Sequence, residues 1–579
     1  MTDLVAILRD RLDAAFAAVA GERVDAAVRR SDRADFQADG ALALAKPLRR
    51  NPREIAADVV AKADLDDLCE RVEIAGPGFI NLTVAADALS RLTAEVAGDA
   101  RLGVPPAGSP ETVVLDYSQP NIAKEMHVGH LRSTIIGDAE ARTLEWLGHR
   151  VVRQNHVGDW GTNFGMLIEH LVDLGEGAGA HELSVGDLDG FYKAARAKFE
   201  ASEQFKERSR RRVVLLQGGD EETLRLWHVL VDESTRYFQY VYDKLDVTMT
   251  PDDLAGESMY NPDLPDVVAE LDRVGLLQDS DGARCVFPQG MVNREGEPMP
   301  LIVVKRDGGW GYDTTDLAAI RHRVRDLGAT RILYVIDWGQ RFHFDLVFQA
   351  AREAGWLAPP VRAEFVGFGV VLGTDGKRLR TRAGDSIKLA DLLDEAVARA
   401  AAAVAEKNPS LDDETKQRVA RAVGIGALKY ADLSNDRVKD YVFDWDRMLS
   451  FDGNTAPYLQ YAHARIRSIF RRGGYDGDQL DRLGTAPIRI SEPAEKQLAI
   501  QLLGLAGVVE RSADEVAFHR LCGYLYGVAT GFTRFYEQCP VLKAGDEETR
   551  VSRLRLCDLT ARVLERGLGL LGIHAPDRM

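Results

Sequence analysis

Residues 111–147 constrain the class of fold more than any other stretch of the chain. Glu111-Thr-Val-Val-Leu-Asp-Tyr117, rich in β-branched and apolar side chains, reads as a buried strand of an α/β sheet. Leu131, Ile135, Ile136, Ala139 and Leu147 then fall on one broad helical face. The polar stretch DYSQPNIAKEMHVGHLRST, residues 116–134, therefore sits where a strand's carboxyl end meets a helix start. In open α/β sheets that crevice is where ligands bind. Further strand candidates at 150–154, 332–337 and 364–371 alternate with helical segments as far as about Leu389, which favours a doubly wound parallel sheet.

The pattern predicts a Rossmann-like α/β catalytic domain over 109–390, interrupted by a mostly helical insertion at about 163–242 that includes the long charged segment Asp189 to Leu216. A small α/β domain, 1–108, precedes it. It opens with a helix, runs through ALALAKPLRRNPREIAADVVAKA into a second helix, and ends in two strands joined by Gly76-Pro-Gly78. The linker Gly103-Val-Pro-Pro-Ala-Gly-Ser-Pro110 stops both helix and strand and marks the boundary. From Ala390 onward no strand is expected. Ala390 to Glu406, Asp413 to Ala431, Tyr458 to Arg472 and Glu492 to Glu510 read as helices, giving an all-α bundle over 391–579.

No apolar run approaches a membrane span, and the first helix carries Asp and Arg through its middle, unlike a signal peptide. A cytoplasmic protein without membrane association is expected. The five cysteines, Cys69, Cys285, Cys522, Cys539 and Cys557, form no C-x-x-C pair, which argues against zinc and disulfides and for reduced, buried thiols. The net charge of −17 opposes a nucleic-acid partner only as an average. Basic runs survive at Lys46–Arg53, Lys206–Arg212, Lys377–Arg382 and Arg465–Arg472, although a solvated helix face is the better account of any one of them taken alone.

His127-Val-Gly-His130 by itself suits either two structural histidines at a tight turn or a phosphate site. Its position favours the second. Gly129 removes a side chain where a ligand approaches the backbone, and the histidines flank a helix N-terminus whose free N–H groups attract phosphate. Imidazoles there donate hydrogen bonds to charge developing on a phosphoryl group. No G-x-x-x-x-G-K-[ST] pattern accompanies them, so this is not a P-loop.

The tetrapeptide resembles the HIGH signature of class I aminoacyl-tRNA synthetases, and the wider S-x-P-N-x-A-K-x-x-H-x-G-H-x-R-S-T, Ser118 to Thr134, resembles the arginyl version. Gly158-Asp-Trp-Gly-Thr-Asn-Phe-Gly165, Tyr312-x-x-x-Asp316, Tyr334-Val-Ile followed by Gln340 and His343, Asp452 to Arg465, and the terminal Ala-Pro-Asp-Arg-Met579 extend the likeness over the whole chain. The resemblance implies ATP-dependent joining of L-arginine to arginine tRNA through an arginyl-adenylate. ATP with accompanying Mg2+ and a monomeric enzyme are implied, with no residue assigned as a metal ligand. His127, Gly129, His130 and Lys124 are implied to be catalytic, with His127, His130, Lys377, Arg378 and Arg382 around ATP. Asp116, Asn121, Tyr312, Asp316 and Gln340 match positions lining the arginine site, Asp316 in the first turn of a helix Thr315 to Arg323. A guanidinium is always charged and pairs bidentately with carboxylate, so acids are the residues such a pocket needs.

The second class I signature, KMSKS, is absent; Arg378-Leu-Arg-Thr-Arg382 stands in its place with Thr381 where a lysine belongs, and Lys124 is implied to substitute. The Gly373-Thr-Asp-Gly376 turn makes this a mobile-loop candidate. Tyr458, Tyr461 and Arg465 share a helix face, which suits either core packing or stacking on anticodon bases. The resemblance favours stacking, joined by Met579. It also points to Lys46, Arg49, Arg50 and Arg53 as contacts for the outer corner of the tRNA, and to adenylate formation that requires tRNA.

Overall fold

The structure is a computed structural model that describes residues 3–175, 188–380, 386–475, 483 and 486–579. By packing the chain forms two units, Ala107–Glu406 with Gly424–Met448, and Met1–Pro106 with Lys407–Val423 and Leu449–Met579. The helix Leu389–Lys407 thus packs almost entirely with the sheet-bearing unit.

In that unit four parallel strands lie in the order Arg362–Phe368, Arg331–Asp337, Thr112–Asp116, Arg150–Gln154. The central strands are apolar on both faces because helices cover both, and Val114, Ile332, Tyr334, Leu317, Phe344 and Phe348 share one core. The chain runs from Thr112–Asp116 to a neighbour on one side, Arg150–Gln154, and later returns on the other side as Arg331–Asp337. The switch point therefore falls between Thr112–Asp116 and Arg331–Asp337, at the end where the helix Val128–Trp146 begins.

The insertion holds the helices Asn163–Leu174, Leu188–Ala201, Glu203–Gln217 and Glu221–Leu245. The charged segment expected as one run is two helices, because Ser202 turns extended and its hydroxyl caps the second by accepting from Phe205 N. A three-stranded antiparallel sheet, Leu277–Ser280, Ala283–Val286 and Leu301–Val304, follows where no strand was expected. Its first turn is Asp281-Gly282, both with positive φ, as a tight hairpin requires. The expectation of no strand beyond Ala390 also fails at Tyr441–Val442, which pairs in parallel with Val371–Leu372.

In the other unit the N-terminal sheet is antiparallel throughout, ordered Val28–Arg30, Phe36–Ala38, Phe79–Val84, Cys69–Ala75. The single helix expected after the first is two, Gly40–Leu48 and Pro52–Lys62. Arg49 at φ 51° ends one, and Asn51 with Pro52 at the first position starts the other. The bundle helices Ala456–Gly473, Pro493–Leu502, Leu505–Asp514, His519–Gln538 and Glu547–Leu570 belong to the same unit as this sheet. Lys496 pairs with Asp35 at 3.0 Å, and Arg562 donates to the Ala97 carbonyl at 2.7 Å. All five cysteines are buried and free, and among the described residues no helix is long and apolar enough to cross a membrane.

Candidate active site

His127 is extended and caps the helix Val128–Trp146. Its Nδ1 accepts from Gly129 N at 3.0 Å, and His130 Nδ1 accepts from His127 N at 3.0 Å, a reciprocal capping box. The two rings stand 4.1 Å apart. Because both Nδ1 atoms accept, each neutral ring carries its proton on Nε2. Burial, then the neighbouring charges of His127 and Lys124, pushes His130 down to about 3, and burial likewise lowers His127. The helix end therefore presents two neutral N–H donors at ordinary pH. Lys124, three residues before His127 in the preceding loop, rests its ammonium over the Tyr192 ring at 4.6 Å.

The basic segment that replaces KMSKS lies close by. Gly373 N donates to Lys377 O at 2.7 Å and Leu379 N to Val371 O at 2.9 Å, so residues 371–379 form a hairpin whose return arm carries Lys377 and Arg378. The chain beyond it is clamped to the histidine motif, Val128 N to Ile387 O at 3.0 Å and Leu389 N to Met126 O at 2.8 Å. One cavity is lined by His127, Gly129, Arg132, Gly369, Arg378 and Arg380. Thr381 and Arg382 lie outside the described residues.

The other end of the crevice is acidic. The helix Tyr312–Arg325 starts three residues earlier than expected, which places Asp316 beyond its first turn, out of reach of the helix dipole's main effect. What holds Asp316 is His343, whose Nε2 lies 2.6 Å from Asp316 Oδ2 while its Nδ1 lies 3.6 Å from Asp313. Burial opposes charge on His343, but the hydrogen bond and charge of Asp316, with Asp313, outweigh it and raise its pKa. Tyr312, 65% exposed, sets its ring edge to His343 at 5.2 Å. Asn121 and Gln340 are both exposed, Gln340 closing the short 3-10 turn Trp338–Gln340 that leads into the helix bearing His343.

Asp116 departs from expectation. It is buried, with Oδ2 2.6 Å from Arg323 and Oδ1 accepting from Gln119 Nε2 at 2.5 Å. Arg323 in turn donates to Gln154 and stacks over Tyr334. Asp116 is thus neutralised from within and offers no free carboxylate to a guanidinium. The sequence did not single out Glu257, which burial, then the charges of Asp316 and Asp159, pushes up to about 8. Glu257 and Asp316 are near enough to repel, which is the arrangement a single cation relieves.

The model for "tRNA synthetases class I (R), catalytic domain" matches residues 93–445, the arginyl-tRNA synthetase N-terminal domain matches 3–84, and the DALR anticodon binding domain matches 459–579. The arginine–tRNA ligase of Thermobifida fusca is 53% identical, with both chains covered over 100% of their length. The chain belongs to the arginyl-tRNA synthetase family. Solved arginyl-tRNA synthetases agree in fold: that of Plasmodium falciparum has a TM-score of 0.83 at 26% identity, covering 100% of this chain and 99% of that one. That of Thermus thermophilus has a TM-score of 0.80 at 26% identity, covering 100% of both.

On the helix Ala456–Gly473, where the anticodon-binding match begins at residue 459, Tyr461 is 47% exposed while Tyr458 leans on Tyr526 at 5.6 Å and Arg465 lies over the Tyr536 ring at 5.0 Å. The chain terminus is tied to the same helix, Gln460 Nε2 donating to His574 O at 2.7 Å and Arg471 to Asp577 O at 3.1 Å, which brings partly buried Met579 to its vicinity. Among the N-terminal basic residues, Arg50 pairs with Asp58 and Arg53 donates to the Gly76 carbonyl, so both have structural work. The run at 206–212 is similarly engaged, Arg208 and Arg212 both pairing with Glu169.

Proposed function

We propose that this arginyl-tRNA synthetase family member attaches L-arginine to arginine tRNA by way of an arginyl-adenylate. The carboxylate of arginine attacks the α-phosphorus of ATP, an O–P bond forms, the bond to the β-phosphate oxygen breaks, and pyrophosphate leaves. A hydroxyl of the tRNA's terminal ribose then attacks the acyl carbon and AMP leaves with the bonding pair. No protein nucleophile is needed, so the protein's contribution is placement and electrostatic stabilisation.

The observation that carries this reading is the polarity of the crevice: neutral imidazole donors at a helix N-terminus on one side, the Glu257 and Asp316 carboxylates on the other. On this reading the Nε2–H groups of His127 and His130 donate to the phosphate oxygens, while Lys124, Lys377 and Arg378 supply charge to the departing pyrophosphate. Asp316 and Glu257 receive the guanidinium, with Tyr312 beside it and Asn121 and Gln340 toward the α-amino group. Tyr461, Tyr458 and Arg465, with Met579, meet the anticodon. Magnesium enters with ATP and neutralises charge on its phosphates.

Asp316→Asn removes one charge facing the guanidinium and keeps the shape. The expected outcome is a large rise in arginine KM, equivalent to about 2–5 kcal/mol, with ATP KM nearly unchanged. Equal damage to both KM values, or to neither, overturns the assignment. Charging with a different amino acid would favour another class I specificity on the same scaffold.

A further inference from the structure

The Gly158-Asp-Trp-Gly segment touches no reacting group in this reading, yet its surroundings are unusually specific. Residues 155–159 continue the strand Arg150–Gln154 as a strip with both edges occupied. Along one edge Asn155 N donates to Asp253 O at 2.7 Å, Ala255 N to Asn155 O at 3.0 Å and Glu257 N to Val157 O at 3.1 Å, a ladder that ends at Glu257. The Asp159 carboxylate then locks that end: Oδ1 accepts from Ser258 N at 2.8 Å and Oδ2 from Ser258 Oγ at 2.6 Å. It occupies the space that a Cβ on Gly256 would need. Along the other edge Ile122 N donates to Gly158 O at 3.4 Å and Asn121 bridges Gly158. A Cβ on Gly158 would come 2.9 Å from Asn121 Oδ1. Trp227 Nε1 fixes the strip from behind by donating to Asp159 O at 2.7 Å.

We infer that Gly158 and Asp159 are positioning residues that set the separation between Asn121 and Glu257, and so select an amino acid with the length of arginine. The inference rests on the proposed function, in which Asn121 faces the α-amino end of the substrate and Glu257 the guanidinium. One rigid strip holds both: the missing side chain of Gly158 lets Asn121 close down on one edge, and the doubly accepting carboxylate of Asp159 stops the 253–258 segment from sliding on the other. Asp159 is buried and its oxygens are engaged with Ser258, so it acts through Glu257 and not on the substrate.

Gly158→Ala and Ser258→Ala test the two edges separately. The alanine at 158 meets only the tip of an exposed side chain, so the fold is expected to accept it while Asn121 is displaced. Ser258→Ala deletes one hydrogen bond at a partly exposed position. In tRNA charging assays each is expected to raise arginine KM about tenfold or more, because displacing a substrate-positioning group by about 1 Å costs up to about a hundredfold. ATP KM should stay within about twofold, and the preference for arginine over its homologue longer by one methylene should narrow from a level of about ten- to 200-fold. Ser258→Thr, which keeps the hydroxyl, should restore the arginine KM. If circular dichroism shows Gly158→Ala unfolded, Ser258→Ala and its threonine rescue decide the matter. Folded variants with wild-type arginine KM and preference, or with arginine and ATP KM rising together, overturn the inference. A wild-type enzyme that does not charge tRNA with arginine refutes the functional reading instead.

Discussion

At the scale of single residues the proposed arginine pocket sets the carboxyl groups of Glu257 and Asp316 against each other, with His343 bonded to Asp316. Glu257, pushed up to about 8, faces Asp316 on the helix Tyr312–Arg325, Asp159 on the strip 155–159, and Lys305 beyond the strand Leu301–Val304. A guanidinium pairs with the ionised carboxylate only, so below that pH arginine binding releases a proton from Glu257. Arginine KM is therefore expected to fall as pH rises towards 8, by at most about tenfold per unit, and Glu257→Gln should flatten the profile; a flat wild-type profile would rule this out. The linkage to folding has the same origin. A carboxyl raised from 4.5 to about 8 contributes stability that is present below 4.5 and lost as pH rises through 8, and bound arginine should return it. The spacing of Tyr312 and Asp316 forms a local motif, so both could be proposed for the site from the sequence alone. Glu257 could not: its chemistry comes from Asp159 and Asp316, which other elements bring to it. The pairing of Asp116 was hidden for the complementary reason, since nothing in its own neighbourhood announces the buried Arg323 that meets it.

At the scale of elements, the end of the strand Arg362–Phe368 is held by a buried knot. Arg132, on the helix capped by His127, meets Asp432 at 3.0 Å and donates to the carbonyls of Gly369 at 2.7 Å and Lys439 at 3.2 Å, between the rings of Phe368 and Tyr441. Removing one partner leaves an uncompensated buried charge, so Arg132→Met should cost about 3–5 kcal/mol in urea unfolding, and Arg132→Met with Asp432→Leu clearly less. Additive losses in the pair would contradict the coupling. The parallel strands were readable from continuous apolar runs, and the long helices from periodicity, because packing on both sides enforces those patterns. The sheet Leu277–Val304 escaped notice because its strands are short and half exposed, although Asp281-Gly282 carried the hairpin signal. On the helix Ala456–Gly473 the half-exposed Tyr461 is free for a base, as simple core packing would not leave it. Tyr461→Ala should weaken tRNA binding by about 1–3 kcal/mol with arginine and ATP KM unchanged. An unfolded variant by circular dichroism would restore the core-packing account.

For the molecule as a whole, the domain content of an arginyl-tRNA synthetase is spread over the entire chain, from the N-terminal domain at 3–84 to the anticodon-binding domain at 459–579. A net charge of −17 is an average and does not oppose a tRNA partner, since basic groups are still gathered locally, as Arg378 and Arg380 are in the cavity lined by His127 and Gly129. The ammonium of Lys124 rests on Tyr192, so a bound tRNA that favours an arrangement bringing it to the phosphates would make adenylate formation depend on tRNA. The measurement that bears most directly on the function is exchange of labelled pyrophosphate into ATP, run with each amino acid in turn, with and without arginine tRNA blocked at its terminal ribose. The expected result is exchange with arginine alone, and only when that tRNA is present; no exchange with arginine under any condition, or exchange driven by a different amino acid, would contradict it.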